Sequence, residues 1–167
     1  MTAEHQSSKN QKARGNTMTT KTQNTAVVIA VPARLSSSRL PGKVLTNIAG
    51  KPMLRHVLER CSEVRGVEAV VTCSDSEQVL DSVRSWGFDA LATSVQCSSG
   101  SERLASVVAE LVQAGRRSAE GTLVINVQGD QPCLDPRIVE KMICEARCEH
   151  GWVPVITPLY PLGGKKL

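Results

Sequence analysis

The chain has 167 residues, 41% of them hydrophobic and 22% charged, with a formal net charge of +4. That is enough for one domain with a real core, and aromatics at only 2% mean the core is built from Val, Leu, Ile, Ala and Met. The charge is too small and too poor in aromatic neighbours to argue for a nucleic-acid partner, and no stretch approaches the roughly 18 apolar residues needed to cross a bilayer.

Residues 1–24 are Thr, Ser, Gln, Asn and Lys rich, and Lys9, Lys12, Arg14 and Lys21 face only Glu4. Such a segment cannot bury enough surface to offset its ordering entropy, so it reads as a disordered polar and basic tail. It has neither the apolar stretch of a secretory signal nor the Arg-rich amphipathic pattern of a transit peptide, and Met18 is an alternative start.

From Ala26 the chain alternates strands and helices. Ala26–Val31 is an apolar run that reads as a buried parallel strand. The spacing of Met53, Leu54, Val57, Leu58, Cys61 and Val64 predicts a helix over 52–64, opened by Pro52 and ended by Gly66. Val67–Cys73 follows as a strand. Ser74-Asp75-Ser76-Glu77 fits a capping box for a helix ending near Gly87, and Phe88–Ala92 is a short third strand.

Leu104, Val107, Val108 and Leu111 predict one helix over 101–114. Thr122–Val127 is a fourth strand, Asp135-Pro136 opens a further helix, and Val153–Thr157 reads as a fifth strand. This order predicts an α/β fold, a doubly wound and mostly parallel sheet with helices on both faces. The sheet reads as incomplete on its C-terminal side, because a coil-like ending follows the fifth strand so soon. Such a cut would leave an apolar edge exposed.

The six cysteines are scattered and imply no disulfide framework. Cys144, Cys148 and His150 have a loose metal-like spacing with no second pair elsewhere, and read as ordinary thiols at a helix end.

Three polar loops follow strand carboxyl ends, where open α/β sheets bind ligands. The first carries Arg34, Ser36, Ser37, Ser38, Arg39 and Lys43. Cations, hydroxyls and backbone amides together suit a polyphosphate, although Ser37 and Val44 stand where a P-loop needs Gly and Ser or Thr. The second, Ser98 to Arg103, opens a helix with Ser99 and Glu102 at capping-box spacing. Its free amides, with Arg103 near, also suit a polar ligand. The third is Asn126-Val127-Gln128-Gly129-Asp130-Gln131-Pro132. Near phosphates, Asp130 is a natural Mg²⁺ ligand; Gly-Asp is also an ordinary turn.

The runs PARLSSSRLPGK, NIAGKPMLRHVLER, SSGSERLASVV and VINVQGDQP, in this order, closely resemble the 3-deoxy-D-manno-octulosonate cytidylyltransferases, the CMP-Kdo synthetase family of lipopolysaccharide assembly. The resemblance covers about residues 26–160. Acylneuraminate cytidylyltransferases and other sugar nucleotidyltransferases share the general layout and are second choices.

The resemblance implies a nucleotide-diphospho-sugar transferase fold, with residues 25–167 as the N-terminal, nucleotide-binding part of the domain. It implies a cytoplasmic enzyme that couples CTP to Kdo with Mg²⁺, away from membrane and nucleic acid. Arg34, Arg39 and Lys43 then bind the CTP phosphates, with Lys43 nearest the reacting group. Ala33 and the Ser36–Ser38 region, Ser37 included, line the nucleotide. Ser99, Gly100 and Arg103 help read cytosine and ribose. Gln128 stands on the sugar side, and Asp130 holds the metal. Lys43, Arg34 and Asp130 make up the expected catalytic group.

Departures from the family pattern are Cys97 for a His, Gln96 for an acid and Ser101 for a Thr. In the family, a further segment supplies most Kdo contacts, a second metal-binding aspartate and most of a homodimer interface. The chain reads as ending before it. A catalytically inactive fragment that binds only CTP, or that serves as an interaction module, is the competing expectation.

Overall fold

A computed structural model describes residues 25–36, 40–115 and 121–148. The tail over 1–24, the strand expected at Val153–Thr157, and the site residues Ser37 and Arg39 lie outside the described residues, as do Ser38, the Cys148 side chain and His150.

Strand β1, Ala26–Pro32, is buried along its whole length, as its unbroken apolar sequence dictates. It pairs in parallel with β4 (Ala69–Ser74) on one side and β6 (Thr122–Asn126) on the other, and β4 pairs with β5 (Asp89–Ala92). The sheet order is therefore β5-β4-β1-β6, all parallel. The chain steps outward from β1 to β5, then crosses back to place β6 on the far side of β1. The strand order reverses between β1 and β6, and a crevice at the carboxyl ends of these two strands is the expected ligand site.

Helices α1 (Met53–Ser62), α2 (Glu77–Ser85) and α5 (Pro136–Cys148) cover one face. There Leu54, Val57, Leu58, Val83 and Val139 pack on Val27, Ile29 and Val31 of β1. Helices α3 (Gly100–Ala105) and α4 (Val108–Ala114) cover the other, where Leu104, Val107 and Leu111 meet Val28 and Ala30. Successive β1 side chains thus feed two separate cores, as the two-residue strand period requires. Each fully buried Leu or Val contributes about 1.5–3 kcal/mol.

The structure corrects several local expectations. The helix expected over 101–114 is two helices, parted at Val107 with φ −125° and ψ 24°. Ser106 Oγ donates to the Arg103 carbonyl at 2.8 Å, a side-chain bond that competes with the helical ladder. The cap of α2 is Ser76, not Ser74: Ser76 Oγ accepts the Val79 N–H, while Ser74 Oγ accepts the Ser76 N–H. Phe88 belongs to the end of α2 rather than to β5. Its N–H reaches the Val83 carbonyl at 3.2 Å and that of Gly87 reaches Arg84 at 2.9 Å, a Schellman ending that needs the positive φ of Gly87.

Pro52 precedes α1 as its N-cap and closes a small hairpin, β2 (Asn47–Ile48) with β3 (Lys51–Pro52). Ala49 and Gly50 both take positive φ there, as a tight two-residue hairpin turn demands.

Candidate active site

Strand β1 ends on Pro32, and this residue opens the crevice. Pairing between β1 and β6 runs as far as Ala30 with Asn126, and the Ala33 N–H turns to the Cys73 carbonyl of β4 at 3.0 Å. A proline has no N–H to carry the β6 ladder further, so the two strands part beyond it.

The three polar loops converge on this point. Gly100, at the start of α3, lies against the Pro32 ring: a Cβ there would stand 3.1 Å from Pro32 Cγ and 3.8 Å from Gln128 Oε1. Arg34 Nη1 donates to the Ser98 carbonyl at 3.3 Å, tying the first loop to the second. Lys43 Nζ donates to Asp130 Oδ2 at 2.5 Å, tying the first loop to the third.

Between the first and third loops lies a cavity of about 750 Å³, lined by Ala33, Arg34, Ser36, Lys43, Gln128 and Asp130 among others. Beyond Asp130 a second hollow of about 490 Å³ continues along Gln131 to Leu134.

The position of Lys43 follows from its turn. Lys43–Leu45 is a short 3₁₀ turn, and the Gly42 N–H closes on the Leu35 carbonyl at 2.9 Å, drawing the two ends of the first loop together. Val44 is buried in the core and anchors the turn, which leaves the Lys43 stem reaching over the cavity. Asp130 follows Gly129 on a turn just past β6, and the side chains of Lys43 and Asp130 keep 32% and 43% of their exposure. Gln128 Nε2 donates to Asn126 Oδ1 at 3.0 Å, which orients its amide at the cavity edge.

Of the residues assigned by resemblance, Ala33, Arg34, Lys43, Gln128 and Asp130 therefore stand around one cavity. Ser99 is the α3 N-cap: its Oγ accepts the Glu102 N–H at 3.1 Å. Glu102 completes that cap through the Ser98 hydroxyl and N–H, which hold its carboxyl below the usual carboxylate range.

Arg103, expected by resemblance near cytosine and ribose, is not among the residues lining the cavity. Arg103 is 2% exposed, donates from Nη2 to Asp75 Oδ2 at 3.0 Å, and from Nη1 to Thr93 Oγ1 and the Ser94 carbonyl. It joins the loops after β4 and β5 instead of standing at the cavity. The partner role of Asp75 was not legible locally, because its sequence context reads as a helix cap. Cys97, where the resemblance led to the expectation of a His, is buried, with Sγ 3.8 Å from Ser106 Oγ. Burial pushes the thiols of Cys61 and Cys73 up to about 12, so both are inert core groups.

Residues 27–150 match the sequence model of the cytidylyltransferase family. The chain belongs to that family. A cytidylyltransferase relative from Shewanella amazonensis, 8-amino-3,8-dideoxy-manno-octulosonate cytidylyltransferase, is 37% identical over 139 residues, covering 83% of this chain and 55% of its own.

Among solved structures, a CMP:2-keto-3-deoxy-manno-octonic acid synthetase complexed with CTP is similar, with a TM-score of 0.66 and 40% identity, covering 73% of this chain and 47% of that one. A 4-diphosphocytidyl-2C-methyl-D-erythritol synthase, at 20% identity, 72% and 54% coverage and a TM-score of 0.58, shares the fold. The present cytidylyltransferase chain spans about half the length of these relatives. Among its described residues, no helix is long and apolar enough to cross a membrane.

Proposed function

We propose that this chain carries the nucleotide site of an enzyme that activates Kdo, or a closely similar 3-deoxy-2-ulosonic acid, with CTP, giving the CMP-sugar and pyrophosphate for lipopolysaccharide assembly in the cytoplasm. The observation that carries the reading is the gathering of Arg34, Lys43 and Asp130 around one cavity at the point where the strand order reverses. The 37% and 40% identities to enzymes named for such sugar acids support the substrate class.

In the proposed reaction the anomeric hydroxyl of the sugar acid attacks the α-phosphorus of CTP. The bond to the bridging oxygen of the β-phosphate breaks, and pyrophosphate leaves with the hydroxyl proton released. The protein's part is positioning and charge stabilisation. Lys43 and Arg34 offset negative charge on the phosphates, and Gln128, on the wall of the first cavity beside Asp130, stands on the proposed sugar side.

Asp130 is a single, half-exposed carboxylate, and no group of three or more His, Cys, Asp or Glu suited to a metal occurs among the described residues. Mg²⁺ is ordinarily held by one or two carboxylates with phosphate oxygens and water, and that donor set fits Asp130 beside a triphosphate. When bound, the ion would neutralise charge on the phosphate oxygens.

The test is pyrophosphate release by the purified chain from CTP, Mg²⁺ and either Kdo or its 8-amino counterpart. Release that needs the sugar acid and stops with EDTA supports the reading, and the faster sugar identifies the substrate. No release, with CTP still raising the melting temperature, leaves a nucleotide-binding part that requires more protein for turnover.

A further inference from the structure

The contact between Lys43 and Asp130 poses a problem for the site as read above. The ammonium expected to hold phosphate lies 2.5 Å from Oδ2 of the carboxylate expected to hold a metal. A Mg²⁺ ion takes its oxygens at about 2.0–2.1 Å, so an ion on Asp130 would meet a positive charge in its own coordination space. An ion on Oδ2, or on both oxygens, displaces Lys43, and an ion on Oδ1 faces the ammonium charge across the same carboxylate. The backbone of the turn is fixed, by the buried Val44 and by the Gly42–Leu35 bond, but the four-carbon stem of Lys43 is free to swing.

We propose that Lys43 and the divalent cation compete for Asp130, so that the free site excludes the metal until a triphosphate gives Lys43 another anion. The inference rests on the reading of the cavity as a nucleotide site. Metal and nucleotide then bind with positive coupling. Each raises the affinity of the other by the same factor, as linkage requires. The metal arrives together with the triphosphate, and Lys43 is already released onto the phosphates when it does.

The experiment uses Mn²⁺ as the probe, its free signal followed by electron paramagnetic resonance against the purified chain, first without nucleotide. Lys43→Met removes the competing charge and keeps the length of the side chain. It should tighten Mn²⁺ by at least about threefold, the scale of a half-exposed ion pair. Lys43→Gln serves as a second variant, and circular dichroism checks that both fold. Asp130→Asn placed on Lys43→Met should remove the gain. With CTP added, and after correction for Mn²⁺ bound to CTP in solution, the wild type should gain more Mn²⁺ affinity than Lys43→Met does.

Equal Mn²⁺ affinity in the wild type and both Lys43 variants, including no measurable binding in any, overturns the proposal. So does a gain that survives Asp130→Asn. A gain seen without nucleotide, in a chain that CTP neither binds nor stabilises, upholds the competition and sinks the nucleotide reading instead.

Discussion

Gly129 backs directly onto Pro32: a Cβ at position 129 would lie 3.1 Å from the Pro32 carbonyl oxygen and 3.4 Å from Leu54 Cδ1. The end of β1 and the acidic loop are thus in backbone contact, and Asp130 takes its place from that contact. Because the obstacle is main chain, it cannot rotate away. Gly129→Ala is expected to destabilise the fold by about 1–3 kcal/mol, as overpacking does, and to weaken the metal binding proposed for Asp130. Thermal unfolding and Mn²⁺ titration of the variant check the two effects.

Arg103 and Asp75 form the most buried ion pair among the described residues, with side-chain exposures of 3% and 14%. Removing one member leaves the other charge without its partner. Asp75→Ala is expected to cost about 3 kcal/mol. The same change should loosen the loop from Thr93 to Ser98, whose last carbonyl accepts from Arg34. Chemical denaturation measures the first effect. A loss of nucleotide affinity exceeding that of a core variant of equal stability measures the second.

Glu140 accepts from the Arg65 backbone N–H and guanidinium, which hold its pKa at about 2 against an ordinary 4.5. A carboxyl whose pKa is depressed by folding binds fewer protons folded than unfolded. Its contribution is present in full above pH 4.5 and is lost as the pH falls toward 2. Glu140→Gln should therefore be less stable than the wild type at neutral pH. The gap should narrow between pH 4.5 and 2, read from melting temperatures in parallel. A constant gap across that window would mean that the pair does not link stability to pH.

If the chain turns over, Lys43→Ala should lower kcat/KM at least about 100-fold, or ~2.7 kcal/mol of transition-state stabilisation. A change below about threefold in a steady-state assay, under 1 kcal/mol, would remove Lys43 from the mechanism.

Much of this organisation was legible in the sequence, for reasons that particular residues make plain. Ala26–Val31 carries no polar residue, so a buried strand was its one good solution, and the polar loops after β1 and β6 announced a site. The break at Val107 was not legible. Leu104, Val107 and Leu111 keep helical spacing across it, and the Ser106 bond that parts the helix has no periodic signature. The hairpin of β2 and β3 was missed because two-residue strands are too short to show alternation. The fate of Arg103 depended on Asp75, 28 residues away, a distance that local pattern cannot bridge. Pro32 was visible as a residue but not as the cause of the crevice, since that role exists only once β6 lies beside β1.

The central claim is that the cavity between Arg34, Lys43 and Asp130 binds CTP, and calorimetric titration of the chain with CTP in Mg²⁺ tests it most directly. The account predicts saturable binding at one site, preferring CTP over ATP and weakened about tenfold by Lys43→Ala, the scale of one lost charge-assisted hydrogen bond. No binding by a folded chain, or binding that Lys43→Ala leaves unchanged, would contradict it.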